Sequence, residues 1–302
     1  MTFLNISLLF VSIIMNLFSC GILRNEFCKK DVKNNSDLYI FNTLSSILSM
    51  LTLFVIAFIS GSIRIPSLYT ISLGFIFGIA TALCAIFNMK ALEKGPLSYT
   101  TVIISCSMII PALSGLILYN ESISIWQYVG IALMIISFVF AVDKKNDKNG
   151  ASFIWLILCF GAFIFCGAVG VMQKIHQSSV YKEELSSFLI IAFAVSAVFS
   201  IIMSIYYKFN KKQKITVLVS GKKIKFFIIG IISGIGIALC NQINMFLAGA
   251  MPAVFFYPVV NGGCMILTTA AGIIIWKERL SAKQWFGLIM GMAAILLLCN
   301  IF

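Results

Sequence analysis

The sequence predicts an all-α integral membrane protein with ten transmembrane helices, arranged as two inverted five-helix repeats. Its 302 residues are 61% hydrophobic and only 11% charged, whereas soluble globular domains are about 45–50% apolar and about 25% charged. The apolar residues form ten long stretches, and two segments of the first half recur in the second. A chain with so few polar side chains cannot cover a soluble globule, so we expect it to fold in a lipid bilayer.

Each apolar stretch is long enough for a membrane-spanning helix, which needs about 20 residues. The first lacks a basic leader and a small-residue cleavage pattern, so we interpret it as a retained span and not as a signal peptide. The ten predicted spans are Phe3–Leu23, Leu38–Ile59, Leu68–Met89, Leu97–Tyr119, Ile125–Val142, Phe153–Ile175, Leu185–Tyr207, Ile224–Leu247, Ala253–Trp276 and Lys283–Asn300.

The basic residues predict the orientation of these spans. Of the 22 lysines and arginines, 19 belong to the odd-numbered connectors and three to the even-numbered ones, with none at either chain end. Because cytoplasmic loops are enriched in Lys and Arg, the odd-numbered connectors are predicted to be cytoplasmic and both termini to lie outside.

An internal repeat predicts the two halves. Gly74–Met89 matches Gly230–Met245 at nine of 16 positions, and Gly115–Gly130 matches Gly272–Gly287 at six of 16. We assign residues 1–142 to the first repeat, 143–152 to a connector and 153–302 to the second repeat. Since five spans is an odd number, the second repeat must cross the membrane in the opposite sense, which is the architecture of many secondary transporters.

The repeated signature resembles a known family. Gly–x5–Glu–x2–Ser–x2–Gln–x2–Gly closes the fourth helix of each repeat, beginning at Gly115 and Gly272, and Pro111 matches a proline that the family often has in helix 4. The chain thus resembles the drug/metabolite transporter superfamily, and within it the EamA-like transporters. Members usually begin with a basic cytoplasmic N-terminus, whereas this chain begins without a charge. The resemblance therefore implies termini inside, and we follow the charge distribution, which places them outside.

The positions of the ionisable residues limit the coupling mechanisms and substrate charges that fit the chain. All ten acids lie in connectors or at helix ends, so proton-coupled export of hydrophobic cations through a buried carboxylate is disfavoured and a neutral or zwitterionic substrate is favoured. Glu121 and Glu278 precede helices 5 and 10, whose positive N-termini an acid would stabilise. Lys174 and His176 end helix 6, where we expect them to extend to the lipid headgroups; a gating role for His176 is the alternative.

A few polar residues inside the spans are candidates for binding a substrate. Asn241 and Asn261 rank first, because they align with Ala85 and Ile104 of the other repeat and so break its symmetry. For each candidate, hydrogen bonding between helices is an equally good interpretation. The substrate-binding candidates are Asn16, Ser19, Ser105, Asn241, Gln242, Asn244, Tyr257 and Asn261.

Two prolines lie inside repeat-related spans. Pro111 in helix 4 and Pro258 in helix 9 each remove a helical hydrogen bond. Interrupted helices at matching places in two halves indicate a transport site, so we predict that both prolines form kinks or gates. The alternative is a kink that only shapes packing.

These observations together predict a carrier of the cytoplasmic membrane that works by alternating access. Helices 1, 3, 4, 6, 8 and 9 should line its cavity. The cargo would be a small polar metabolite such as an amino acid, sugar, nucleoside or choline-like compound, moved by facilitated diffusion or exchange. The alternatives are a flippase for lipids or lipid-linked headgroups and a drug efflux carrier of the same fold.

The sequence gives no sign of an enzyme, a cofactor or a metal site, because the nine cysteines form no CxxC pair and there is one histidine. The expected partners are the bilayer and the substrate, with no nucleic acid. Gly287-x3-Gly291 on helix 10 is a close-packing motif that fits either a homodimer face or an internal contact, so a monomer and a homodimer both stay open.

Overall fold

The structure, a computed structural model, describes residues 3–119, 124–141, 153–213, 216–217, 223–278 and 281–298. Over these residues the chain is helical and forms no strand. The predicted connector 143–152, Glu121 and both chain ends lie outside the described residues. The helices are α1 (Phe3–Lys30), α2 (Asn35–Ile59), α3 (Leu68–Lys94), α4 (Leu97–Tyr119), α5 (Ile125–Ala141), α6 (Phe153–Gln177), α7 (Leu185–Asn210), α8 (Lys223–Ala250), α9 (Ala253–Trp276) and α10 (Ala282–Leu298).

Eight of these helices are long and apolar enough to cross a membrane. The two others, α5 and α10, have 17 described residues each, slightly fewer than a span needs. The bounds of α4 and α9 agree with the prediction. The prediction was wrong at the end of helix 1, which was placed at Leu23 and lies at Lys30, because polar side chains after Leu23 are buried against neighbouring helices and the helix continues there.

The packing pairs helices of the two halves. α2 packs against α7, α4 against α9, and α5 against α10, while α3 contacts α6 and α7 and α8 contacts α1 and α2. Each of these contacts has a counterpart when α1–α5 are matched in order with α6–α10.

Glycines allow two of these contacts to be close. A methyl group at Gly78 of α3 would overlap the carbonyl oxygen of Ala192 in α7, and one at Gly234 of α8 would lie 2.9 Å from the carbonyl oxygen of Ser45 in α2. Gly78 and Gly234 each end a GxxxG sequence, which begins at Gly74 and Gly230, and such sequences allow helices to pack closely in membranes.

The GxxxG motif of α10 also makes an internal contact. A methyl group at Gly287 would lie 3.1 Å from the carbonyl oxygen of Ser137 in α5, and one at Gly291 would lie 3.5 Å from the hydroxyl of the same residue. Of the two sequence-based alternatives for this motif, the structure thus supports the internal contact.

Hydroxyl and amide groups join α2 to its neighbours. The side-chain amide of Asn42 donates to the Ser200 hydroxyl at 2.8 Å, and the hydroxyls of Ser46 and Ser196 lie 3.0 Å apart. Such bonds hold helices together in lipid, where an unpaired polar group has no water to contact.

The prediction for Glu278 named the wrong helix as the one that this acid stabilises. Its carboxylate accepts hydrogen bonds from the backbone nitrogens of Leu97 and Ser98, at 2.7 and 3.0 Å, so it caps the N-terminus of α4 and not that of α10. Lys29 of α1 forms an ion pair with the same carboxylate at 3.2 Å. One acid therefore connects three parts of the chain that are distant in sequence.

The predicted headgroup positions of Lys174 and His176 were also wrong. Lys174 is 8% exposed, and its ammonium group donates to the carbonyl oxygen of Met251 at 3.1 Å. His176 is fully buried, with its ring 4.4 Å from that of Phe188 and 3.4 Å from the Thr70 hydroxyl. Neighbouring helices cover the end of α6, so both side chains find protein partners there. The gating role of His176 stays a prediction.

Candidate functional site

A cavity of about 180 Å³ lies between six helices. Its lining comes from α1, α3, α4, α6, α8 and α9, the set that the sequence predicted, and each helix contributes residues from within its length. Polar atoms enter it from asparagine, glutamine, serine, threonine and tyrosine side chains and from one arginine. The polar lining residues are Asn16, Ser19, Arg24, Thr81, Ser107, Gln173, Asn241, Asn244, Tyr257 and Asn261.

Most of the predicted binding residues meet in this cavity. Six of the eight candidates line it, together with Pro111: Asn16, Ser19, Asn241, Asn244, Tyr257 and Asn261. Ser105, Gln242 and Pro258 do not. Ser105 is buried but does not line the cavity, whereas Ser107 of the same helix does. Gln242 follows Asn241 directly, so its side chain points about 100° away around the axis of α8.

The first helix changes its geometry beside the cavity. Residues Leu17–Leu23 form a π-helical segment within α1, and such segments are frequent at functional sites. Ser19 and Cys20 of this segment line the cavity, and Ser19 lies so close to Gly236 of α8 that a methyl group at Gly236 would overlap its hydroxyl. The irregular segment therefore brings α1 and α8 into close contact.

The fourth helix is also irregular here. Cys106–Met108 form a 3-10 turn between two α-helical parts, and Pro111 follows, with no N–H to donate to the carbonyl oxygen of Ser107. The predicted interruption is thus present in α4. In contrast, α9 is α-helical throughout, with Pro258 inside it, so the two repeats differ in helical regularity at this point. The functional roles of both prolines stay predictions.

Two of the cavity asparagines form a network between helices. The Ser12 hydroxyl donates to the Asn244 carboxamide oxygen at 2.5 Å, and the amides of Asn16 and Asn244 point to the sulfur of Cys240, at 3.9 and 3.5 Å. For Asn16 and Asn244 the structure therefore supports the alternative of a bond between α1 and α8.

The two asparagines ranked first are placed differently. The amide nitrogens of Asn241 and Asn261 donate to carbonyl oxygens of their own helices, those of Ile237 and Tyr257, both at 2.9 Å. Among the described residues nothing donates to their carboxamide oxygens. These oxygens are therefore available to accept hydrogen bonds from a ligand.

Tyr257 connects α9 with α6. Its hydroxyl donates to the carbonyl oxygen of Gly170 at 2.5 Å, and a methyl group at Gly170 would lie 2.9 Å from the ring of Pro111. The absence of a side chain at Gly170 thus allows α4, α6 and α9 to approach each other at the cavity.

Sequence reasoning missed Arg24 and Gln173. Arg24 was assigned to a connector, but it belongs to α1, is 6% exposed and lines the cavity, and its Nε has no hydrogen-bond partner. Its spacing of eight from Asn16 and four from Cys20 is that of one helical face, and this pattern could have indicated it. Gln173 is 4% exposed on α6.

Metal ligands are not grouped in the described part of the chain, where no three His, Cys, Asp or Glu side chains come together. The polar groups that line the cavity are amides, hydroxyls, thiols and one guanidinium group, and they lie among apolar side chains such as those of Phe256 and Val260. Such groups bind a polar molecule by hydrogen bonds and by electrostatic attraction.

Comparisons with known proteins agree with this architecture. An uncharacterized protein of Haemophilus influenzae is 24% identical over 211 residues, which are 70% of this chain and 69% of that protein. A solved crystal structure superposes on 97% of this chain and 95% of its own with a TM-score of 0.63, at 13% identity, and so shares the fold. Residues 14–142 match the model of the EamA-like transporter family. This part of the chain is therefore similar to the EamA-like transporters, a family within the drug/metabolite transporter superfamily.

Proposed function

We propose that the protein is a secondary transporter that moves a small polar metabolite across the cytoplasmic membrane by alternating access. The observation that supports this most directly is the cavity between six helices, each of which contributes a polar side chain to its lining. Small molecules commonly bind in cavities between helices. The family whose model matches residues 14–142 consists of transporters.

The size of the cavity favours a small cargo. An engineered cavity of about 150 Å³ admits a molecule the size of benzene, so a space of about 180 Å³ suits a metabolite of similar or slightly larger size. A whole lipid would not fit in it. A small metabolite is therefore favoured over the flippase alternative.

Two inverted repeats of five spans, residues 1–142 and 153–302, are part of this proposal. The sequence repeat supports them, and so does the pairing of α2 with α7, α4 with α9 and α5 with α10. Helices α5 and α10 would complete a count of ten spans, since their predicted spans extend beyond their described residues. The charge distribution supports external termini and cytoplasmic odd-numbered connectors.

We infer that transport is facilitative or by exchange. No aspartate or glutamate is among the residues that line the cavity, so the cavity lacks the carboxylate through which a proton could be coupled to substrate binding. Movement of α1, α3 and α4 against α6, α8 and α9 would expose the cavity to each side in turn.

Counterflow in proteoliposomes tests the proposal. Vesicles would be preloaded in turn with pooled amino acids, sugars and nucleosides, and the uptake of a trace of labelled compound would be followed. We expect transient accumulation of label for one pool, absent from protein-free vesicles. Equal uptake in both kinds of vesicle for every pool, with the protein correctly inserted, would contradict the proposal.

A further measurement separates facilitated transport from proton coupling. A pH gradient would be imposed across vesicles that contain equal substrate on both sides. We expect no net movement of substrate. Net accumulation driven by the pH gradient alone would contradict the facilitative mechanism and leave the transporter assignment intact. Flipping of a labelled phospholipid analogue, measured in the same vesicles, would favour a flippase instead.

A further inference from the structure

The guanidinium group of Arg24 is a buried charge in the wall of the cavity. The residue is 6% exposed, and its Nε has no hydrogen-bond partner. No hydrogen bond or ion pair of its side chain involves any of the described residues. Arg24 follows the π-helical segment of α1 directly, so its side chain is held at the level of the cavity.

Several other basic residues of the described chain have partners. Lys29 pairs with Glu278 at 3.2 Å, and Lys225 pairs with Glu26 and Asp31 at 3.3 and 3.1 Å. Lys174, which is also buried, donates to the Met251 carbonyl oxygen. Arg24 thus differs from these residues in facing the cavity without a partner.

A buried charge without a partner is unfavourable, because it loses its hydration and gains nothing in return. Arginine stays protonated in proteins and cannot relieve this cost by losing a proton. Its planar fork of N–H groups matches the two oxygens of a carboxylate. Since no acid lines the cavity, an anionic group of a ligand is the partner that fits.

The other polar side chains of the cavity indicate which further groups the ligand has. The carboxamide oxygens of Asn241 and Asn261 lack donors among the described residues, so they suit an amino or hydroxyl group. A phosphate ester has a charge of about −1.5 to −2 at neutral pH, and one arginine would leave part of that charge unpaired. The volume of about 180 Å³ also favours a small acid.

We propose that Arg24 binds the carboxylate of a small amino or hydroxy acid, whose amino or hydroxyl group is bound by Asn241 and Asn261. This inference rests on the proposed transport function for its role as a cargo site. Binding itself does not depend on transport. The substrate class is thereby narrowed from polar metabolites in general to small carboxylic acids.

Binding to the purified wild-type protein in detergent is the first test. Its melting temperature would be measured with pooled small amino acids, with hydroxy acids, and with the methyl esters of the same compounds. We expect the acids to raise the melting temperature and the methyl esters to have no effect, because an ester cannot pair with the guanidinium group. Equal effects of acid and ester would overturn the proposal, and so would stabilisation by inorganic phosphate or sugar phosphates alone.

Variants of Arg24 form the second test. For the acid that binds best, we expect Arg24→Gln to weaken binding by at least about 30-fold, as loss of one partner of a buried charge pair does. Arg24→Lys should weaken binding less, because it keeps the charge and loses the fork. Lys30→Gln is the matched control, since it removes a positive charge from the same helix at a side chain that is 59% exposed.

The outcomes separate this inference from the proposed function. Acid binding that depends on Arg24, without counterflow, would support the carboxylate site and contradict the transport function. Counterflow of a sugar or nucleoside that is equal in the wild-type protein and in Arg24→Gln would support the transport function and contradict the carboxylate site. If Arg24→Gln does not fold, the comparison of acid and methyl ester on the wild-type protein decides the question.

Discussion

The carboxylate of Glu278 accepts hydrogen bonds from both the backbone nitrogen and the hydroxyl of Ser98, at 3.0 and 2.6 Å. Glu278 lies just after α9, and Ser98 lies in the first turn of α4. The acid thus serves the N-terminus of a helix 180 residues away in sequence. Together with the ion pair to Lys29, this contact joins α1, α4 and the segment after α9 at one end of the protein.

Removal of this acid should destabilise the protein. We expect Glu278→Ala to lower its stability by about 0.5–2 kcal/mol, the usual effect of losing a helix N-cap. The measurement is the melting temperature of the purified protein in detergent. Glu183→Ala is the control, because that side chain is 74% exposed in its ion pair with Arg64 and surface pairs contribute little. Equal effects of the two substitutions would contradict the capping role.

The two asparagines with free carboxamide oxygens should affect substrate affinity. We expect Asn241→Ala and Asn261→Ala each to raise the KM of transport by up to roughly tenfold, the value of one hydrogen bond, with normal insertion in the membrane. Gln242→Ala is the matched control, since it removes an amide from the same helix outside the cavity. Unchanged KM in both cavity variants would show that the site is assigned wrongly.

The pair of Ser12 and Asn244 should act on stability. Their bond joins α1 to α8 at 2.5 Å, and bonds between membrane helices contribute about 0.6 kcal/mol on average. A double-mutant cycle with Ser12→Ala and Asn244→Ala should give a coupling energy of about this size in unfolding experiments. Additive effects of the two substitutions would mean that the bond contributes nothing.

Glycine substitutions should differ in cost according to their neighbours. Gly78→Ala places a methyl group on the Ala192 carbonyl oxygen, which belongs to the backbone of α7 and cannot move alone. Overpacking of this kind typically costs about 1–3 kcal/mol. Gly291→Ala meets its nearest atom at 3.5 Å, an ordinary contact, and should be tolerated. Comparable melting temperatures for the two variants would contradict the close packing of α3 on α7.

The orientation can be tested by labelling introduced cysteines in intact cells with a membrane-impermeant maleimide. We expect Arg64→Cys, between α2 and α3, to be labelled from outside, and Lys211→Cys, after α7, to be protected until the membrane is permeabilised. The unsubstituted protein, with its native cysteines, gives the background. The reverse pattern would place the termini inside, as the resemblance to the EamA-like transporters implies.

Helix positions could be predicted from the sequence because hydropathy and helix breakers are local properties. The bounds of α9 follow from Pro252 before it and from Lys277 after it, where the backbone turns to a left-handed conformation. The six helices around the cavity could be predicted from the repeat, and six candidate residues line the cavity because spacing along a helix determines which side chains share a face.

The positions of Arg24 and Glu278 could not be predicted from the sequence in this way. A charged residue at the end of an apolar stretch is normally assigned to a loop, and only the burial of Arg24 by neighbouring helices places it in the cavity wall. For Glu278, proximity in sequence indicates α10, whereas the packing of α9 against α4 brings a different N-terminus within reach. Both positions depend on contacts between residues far apart in sequence.

The π-helical segment Leu17–Leu23 has a consequence for comparing this protein with its relatives. A π turn contains one residue more than an α turn, because its bonds join residues five apart where α bonds join residues four apart. A relative with a regular first helix would therefore align correctly only with a one-residue gap in this segment. Without that gap, the residue aligned with Arg24 would point about 100° away, and the relative would wrongly be taken to lack an arginine in its cavity.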